Sequence, residues 1–142
     1  MRDMAYEDRL KKLRLFSLER RRDRFAVIYV WRIINGLSPN LEDETSKIRT
    51  VYSGRRGLTC VIPPLRNVSC RLQTIIDASF AVSGPRLFNC VPRELREYVG
   101  CIDNFKCKLD RFLATVPDKP VLLGHQQVSN CNSLSFRVLE LG

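Results

Sequence analysis

Ser17-Leu18-Glu19-Arg20-Arg21-Arg22-Asp23-Arg24-Phe25-Ala26-Val27-Ile28-Tyr29-Val30-Trp31-Arg32-Ile33-Ile34-Asn35-Gly36 reads as one capped helix. Ser17 is an N-cap residue type, Glu19 puts negative charge in the first turn where it suits the helix dipole, and Gly36 followed by Ser38-Pro39 ends the element. The helix is asymmetric along its length: Glu19 to Arg24 is charged, whereas Phe25 to Ile34 is apolar except for Arg32. A helix that is apolar all round is normally enclosed by other elements. The second half is therefore expected at the centre of the core and the first half in water.

Upstream, Leu10, Leu13 and Phe16 recur three apart among basic residues, which predicts a short amphipathic helix over residues 7–16. Downstream, residues 37–47 hold Pro39, Asn40 and Glu42-Asp43-Glu44 and read as a loop. Ile48 to Tyr52 and Leu58 to Ile62 flank Ser53-Gly54-Arg55-Arg56-Gly57, predicting a hairpin that Pro63-Pro64 stops. Leu72 to Ile76 is ambiguous, and Ala78 to Ser83 reads as a third β-prone run ending at Gly84-Pro85. Pro92 opens a short helix through Tyr98, and Asp103 caps a longer one from Asn104 to Thr115, with Phe105, Leu109, Phe112 and Leu113 as one apolar stripe opposite Lys106, Asp110 and Arg111. The fold class expected is mainly α with a small β-hairpin or short strands: one basic helical module over residues 1–116 and a poorly ordered tail over 117–142.

The chain of 142 residues carries a formal net charge of +9, and 18 of its 24 basic residues are arginine. The guanidinium fork binds phosphate in a bidentate way and stacks on bases, so this excess points to RNA or DNA; a soluble basic surface or an acidic protein partner is the alternative. Residues 1–35 hold ten Lys or Arg against five acids. Lys11, Lys12, Arg14, Arg20, Arg21, Arg22 and Arg24 form the candidate phosphate-tracking strip, with Arg20 and Arg24 on one helix face; the competing reading is a solvated helix start partly neutralised by Glu19 and Asp23. Arg55, Arg56, Arg66 and Arg71 are secondary candidates. Gly54-Arg55-Arg56-Gly57 matches the GxxG spacing of KH domains, but that loop joins two helices, so a turn with two exposed arginines is preferred here.

Catalytic and metal chemistry find little support. There is no Asp-Asp pair of the polymerase-palm kind, and the acidic cluster Glu42-Asp43-Glu44 sits in a polar loop. Cys101 and Cys107 are too widely spaced for a zinc ligand pair, and the single histidine, His125, in a Gly- and Gln-rich tail is a poor candidate base for nucleophilic catalysis. No cofactor, metal or small-molecule substrate is expected. The six cysteines read as small buried hydrophobes in a reduced, intracellular setting, nuclear or cytoplasmic, because no apolar signal segment precedes them. Phe25 to Trp31 is too short to span a bilayer, so no membrane partner is expected.

Tyr6 to Leu13 with Ser17 to Arg22, Ile28 to Leu37, Ala78 to Arg96, and Phe105 to Leu113, taken as four segments in that order, resemble the region after the polymerase core of LINE-type non-LTR retrotransposon reverse transcriptases, including the jockey and CR1-like groups. Within the third, Phe88-Asn89-Cys90-Val91-Pro92 stands where that family usually has Trp-Asn-x-Leu-Pro. The resemblance implies a parent that copies RNA into DNA at a nicked target, with this piece beyond the aspartate-bearing palm, so no catalytic residue carries over. The expected role is a non-catalytic C-terminal fragment that contributes RNA or DNA backbone binding, with the upstream polymerase domain as its partner in an intact element. A packing cap for that polymerase, built on the Phe25 to Ile34 helix and the Phe105 to Leu113 stripe, or a degenerate genomic relic, are the alternatives.

Overall fold

A computed structural model describes residues 2–43, 46–63 and 69–118. It contains, among these, α1 (Tyr6–Leu13), α2 (Leu18–Ile34), β1 (Thr50–Ser53), β2 (Gly57–Cys60), α3 (Cys70–Ala78), α4 (Phe80–Asn89), α5 (Arg93–Arg96) and α6 (Ile102–Thr115). The mainly helical class with one small hairpin is as expected. The tail expected over 117–142 lies outside the described residues from 119 onward; Pro117 and Asp118 are hydrogen-bonded to the start of α2.

The core is built on α2. Val27, Ile28, Val30, Trp31 and Ile33 are buried and meet Phe88 of α4, Leu95 of α5, and Phe105, Leu109 and Leu113 of α6. Trp31 stacks on Phe105 with ring centroids 4.6 Å apart and planes 11° from parallel, and its indole N–H donates to the Tyr98 carbonyl at 3.1 Å. That bond meets the rule that a buried Trp finds a partner for its polar end. Two expectations for α2 fail in part. Phe25 and Tyr29 face solvent, because α4 and α6 cover two sides of the helix and leave the third open. Arg20, expected in water, is fully buried.

The largest correction concerns residues 78–85, which are not a strand: Gly84 and Pro85 lie inside α4. The buried residues Val82, Pro85 and Phe88 recur every three positions with Gly84 and Leu87 beside them, a helical face that packs on α2. A proline inside a helix removes one ladder hydrogen bond and costs about 3 kcal/mol, and burial of this apolar face offsets it. Gly84 is needed for closeness: a Cβ there would sit 3.0 Å from Val30 Cγ2 and 2.9 Å from the Phe80 ring. The ambiguous stretch Leu72 to Ile76 is helical too, within α3, whose N-cap Ser69 accepts the Leu72 N–H.

The hairpin pairs Thr50 with Cys60 through Ser53 with Gly57. Gly54, Arg55 and Arg56 form its loop, and Gly57 at φ +69° turns the chain back into β2, a three-residue hairpin solution that favours glycine. Joining two strands, this loop is a turn and not the helix-to-helix clamp of a KH domain. It is held from below. Arg96 donates to the Leu58 and Arg56 carbonyls at 2.9 and 2.8 Å, Glu97 accepts the Leu58 N–H, and the Asn89 side chain bonds both the N–H and the carbonyl of Cys60. Burial lowers the Arg96 pKa, the nearby Glu97 carboxylate opposing it. Glu97 stays below the usual carboxylate range: desolvation pushes it upward, and the Arg93 and Leu58 hydrogen bonds outweigh that.

Expected as buried hydrophobes, the cysteines are mostly at the surface. Of those described, all free thiols, Cys60 is buried, Cys90 is half-buried, and Cys70, Cys101 and Cys107 are exposed. Helix α6 turns Cys107 outward because its inward stripe is taken by Phe105 and Leu109, and Cys101 and Cys70 sit at helix starts on the surface. Burial pushes the Cys60 thiol up to about 12, the Arg96 charge pulling weakly the other way. Iodoacetamide at about pH 8 is therefore expected to alkylate Cys70, Cys101 and Cys107 in the native chain and Cys60 only in denaturant, since the thiolate is the nucleophile. Peptide mass spectrometry checks this, and equal native labelling of Cys60 would contradict the burial.

Candidate nucleic-acid interface

The arginines of the candidate strip divide into two groups. The inward group serves the fold. The Arg20 guanidinium donates to the carbonyls of Leu113 at 2.7 Å, Val116 at 3.1 Å and Pro117 at 2.7 Å. It thus binds the carbonyls at and just beyond the end of α6, which carry the negative end of that helix's dipole. One turn on, Arg24 grips Asp110 with two bonds of 2.5 and 3.0 Å. Ser17 completes the junction: its hydroxyl accepts the Arg20 N–H, and its N–H and hydroxyl donate to the Asp118 carboxylate at 2.6 and 2.5 Å. The shared face of Arg20 and Arg24 is real, but it faces α6, so neither guanidinium is presented to an external phosphate.

The outward group is Lys11, Lys12, Arg14, Arg21 and Arg22, all exposed. Lys11 and Lys12 sit in the last turn of α1. Arg14 ends that helix in a left-handed conformation, φ 52°, with its N–H on the Lys11 carbonyl and that of Leu15 on Leu10. This reversal ends α1 three residues earlier than the sequence period suggests and lets Phe16 pack against the core. Arg21 returns its Nε–H to the Phe16 carbonyl at 3.0 Å, which fixes the stem while the remaining N–H donors stay free to meet solvent or a ligand. Lys11, Lys12, Arg14 and Arg22 have no side-chain hydrogen bond or ion pair among the described residues.

The secondary candidates are scattered. Arg55 and Arg56 stand exposed at the hairpin tip, over α4 and α5, and Arg71 stands exposed on α3. Arg66 lies outside the described residues. The hairpin tip and α3 are separate elements, so the described candidates do not form one built site.

Sequence reasoning passed over one feature beside the strip. Arg22, Phe25, Ala26, Ile28, Tyr29 and Arg32 of α2, with Phe80 of α4, line an open apolar groove of about 500 Å³. Its signal was in the sequence: Arg22, Phe25, Tyr29 and Arg32 follow a 3-4-3 spacing that keeps them on one helical face. Reading the apolar half of α2 as wholly enclosed hid it.

Among the described residues no group of three His, Cys, Asp or Glu side chains is placed to hold a metal ion, and no helix is long and apolar enough to cross a membrane. Set against known protein families, curated proteins and solved structures, the chain matches none.

Proposed function

We propose that this chain is a non-catalytic accessory module that binds RNA or DNA through backbone phosphates, using Lys11, Lys12, Arg14, Arg21 and Arg22, and that it works as the post-polymerase part of a LINE-type reverse transcriptase. The carrying observation is the division of the arginines. Glu7 and Asp8 of α1 stand four positions before Lys11 and Lys12, and Glu19 and Asp23 lie beside Arg21 and Arg22, yet Lys11, Lys12, Arg14 and Arg22 enter no ion pair among the described residues, and the acid that pairs with Arg24 lies on α6. The outward cations therefore remain as positive charge on one stretch of the chain. Phosphate contact of this kind is sequence-tolerant and works by counterion release. The parentage rests on the ordered resemblance of four segments.

The packing-cap alternative loses one of its two surfaces and much of the other, because Phe105, Leu109 and Leu113 are consumed by this chain's own core together with Trp31 and Val30.

The test is a filter-binding titration against a single-stranded RNA at several salt concentrations. Five phosphate contacts give a slope of log affinity against log salt of about −3.5, at about −0.7 per contact on single strands. Replacing Arg14, Arg21 and Arg22 together by glutamine should flatten it to about −1.4 on the same scale. Absence of binding at low salt, or an unchanged slope in the triple variant, overturns the reading.

A further inference from the structure

The groove between α2 and α4 is apolar, open to solvent and flanked by cations. Its exposed wall is aromatic: Phe25 is 64% exposed and Tyr29 39%. Tyr29 is braced edge-to-face on Phe80, with centroids 5.3 Å apart, so the ring is presented in a fixed orientation. Arginines stand at both ends. Arg22 and Arg32 are ten residues apart, about 15 Å along the helix at about 1.5 Å per residue. Among the described residues no acidic one lines the groove. Arg32 is half-buried and lines the groove, with no side-chain hydrogen bond or ion pair among the described residues.

We infer that this groove is a stacking site for an unpaired nucleobase of single-stranded nucleic acid, with Phe25 and Tyr29 as the platform and Arg22 and Arg32 receiving the flanking phosphates. Aromatic faces accept any base, and arginines on either side hold the backbone that carries it. An aliphatic protein segment would fit the apolar floor but would leave the two terminal cations unmatched; an anionic chain bearing planar rings matches both. Arg22 belongs also to the phosphate strip, which makes the groove its continuation along α2. The inference rests on the proposed nucleic-acid binding and adds a base-binding element to the phosphate contacts.

The experiment compares two fluorescent probes of equal length and charge, a single-stranded RNA and an abasic phosphodiester chain, in fluorescence anisotropy with the full chain and with Phe25→Leu. Stacking of one base is worth about 1–3 kcal/mol, so the intact chain should prefer the RNA by at least about fivefold. Phe25→Leu, at an exposed position, should remove most of that preference and leave abasic affinity unchanged. Equal affinity of the intact chain for both probes overturns the stacking site while leaving phosphate binding standing; failure to bind either probe at low salt overturns both. Sedimentation of the two proteins decides the rival occupant. If Phe25→Leu dissolves a self-association without altering the RNA preference, the groove is an interface between copies and the inference fails.

Discussion

Arg20→Ala is expected to lower stability by about 3 kcal/mol, which for a chain of this size is on the order of 10–15 °C in Tm. The loss has a specific origin. Three carbonyls of residues 113, 116 and 117 lose a charged donor held at 2.7 to 3.1 Å, in a place where Leu113 and Val116 are themselves buried and water cannot readily substitute. Arg21→Ala and Arg22→Ala, one and two positions along the same helix, should stay within about 0.5 kcal/mol because they sit on the exposed side. Thermal melts followed by circular dichroism compare the three, and a shared Tm would refute the buried-anchor role. Arg20→Lys should recover only part of the loss, since a lysine ammonium cannot reproduce the fork that reaches carbonyls in two directions. Binding experiments inherit the distinction: loss of RNA affinity in an Arg20 variant reports on the fold, whereas loss in an Arg22 variant reports on the surface.

Trp31→Ala should be costlier still, about 3–5 kcal/mol, the range for truncating a large buried aromatic. Trp31 is fully buried, stacks on Phe105, lies 6.4 Å from the Tyr98 ring, and supplies the donor for the Tyr98 carbonyl. Its removal opens a cavity where α2, α6 and the segment after α5 meet, and leaves a polar atom without its partner. Trp31→Phe keeps most of the stack and loses the N–H, so about 1–2 kcal/mol is expected, the net worth of one hydrogen bond plus a small volume change. Urea unfolding followed by far-ultraviolet circular dichroism measures both. Trp31→Ala with a midpoint near that of the intact chain would show that α2 is not the organising element.

Local signals were legible where they agreed with the packing. Ser17 caps α2 as its residue type suggests, Phe105, Leu109 and Leu113 of the α6 stripe are buried where its period places them while Phe112 is half-buried, and Gly57 sits at the left-handed position of the expected hairpin. They misled where tertiary contact outweighed local preference. Gly84 and Pro85 are punctuation by composition, yet α4 runs through them because Val82, Leu87 and Phe88 gain more by covering α2 than the backbone loses. The cysteines read as buried by type, but burial follows place in the fold: Cys107 falls on the outer phase of α6 and Cys101 at its exposed N-cap.

The same distinction governs the candidate interface. Sequence by itself determined the module's class, its central helix and the concentration of arginine near its start, because composition and period are properties of the chain. Which arginines can meet a ligand was decided only by tertiary structure. Arg20 and Arg21 are chemically identical neighbours about 100° apart around one helix, and the difference between an internal strut and a surface cation is set by where α6 lies. The carbonyls at and just beyond its end, outside the regular helical ladder, turned one face of a basic strip inward. The other face, with the groove beside it, was left to the solvent.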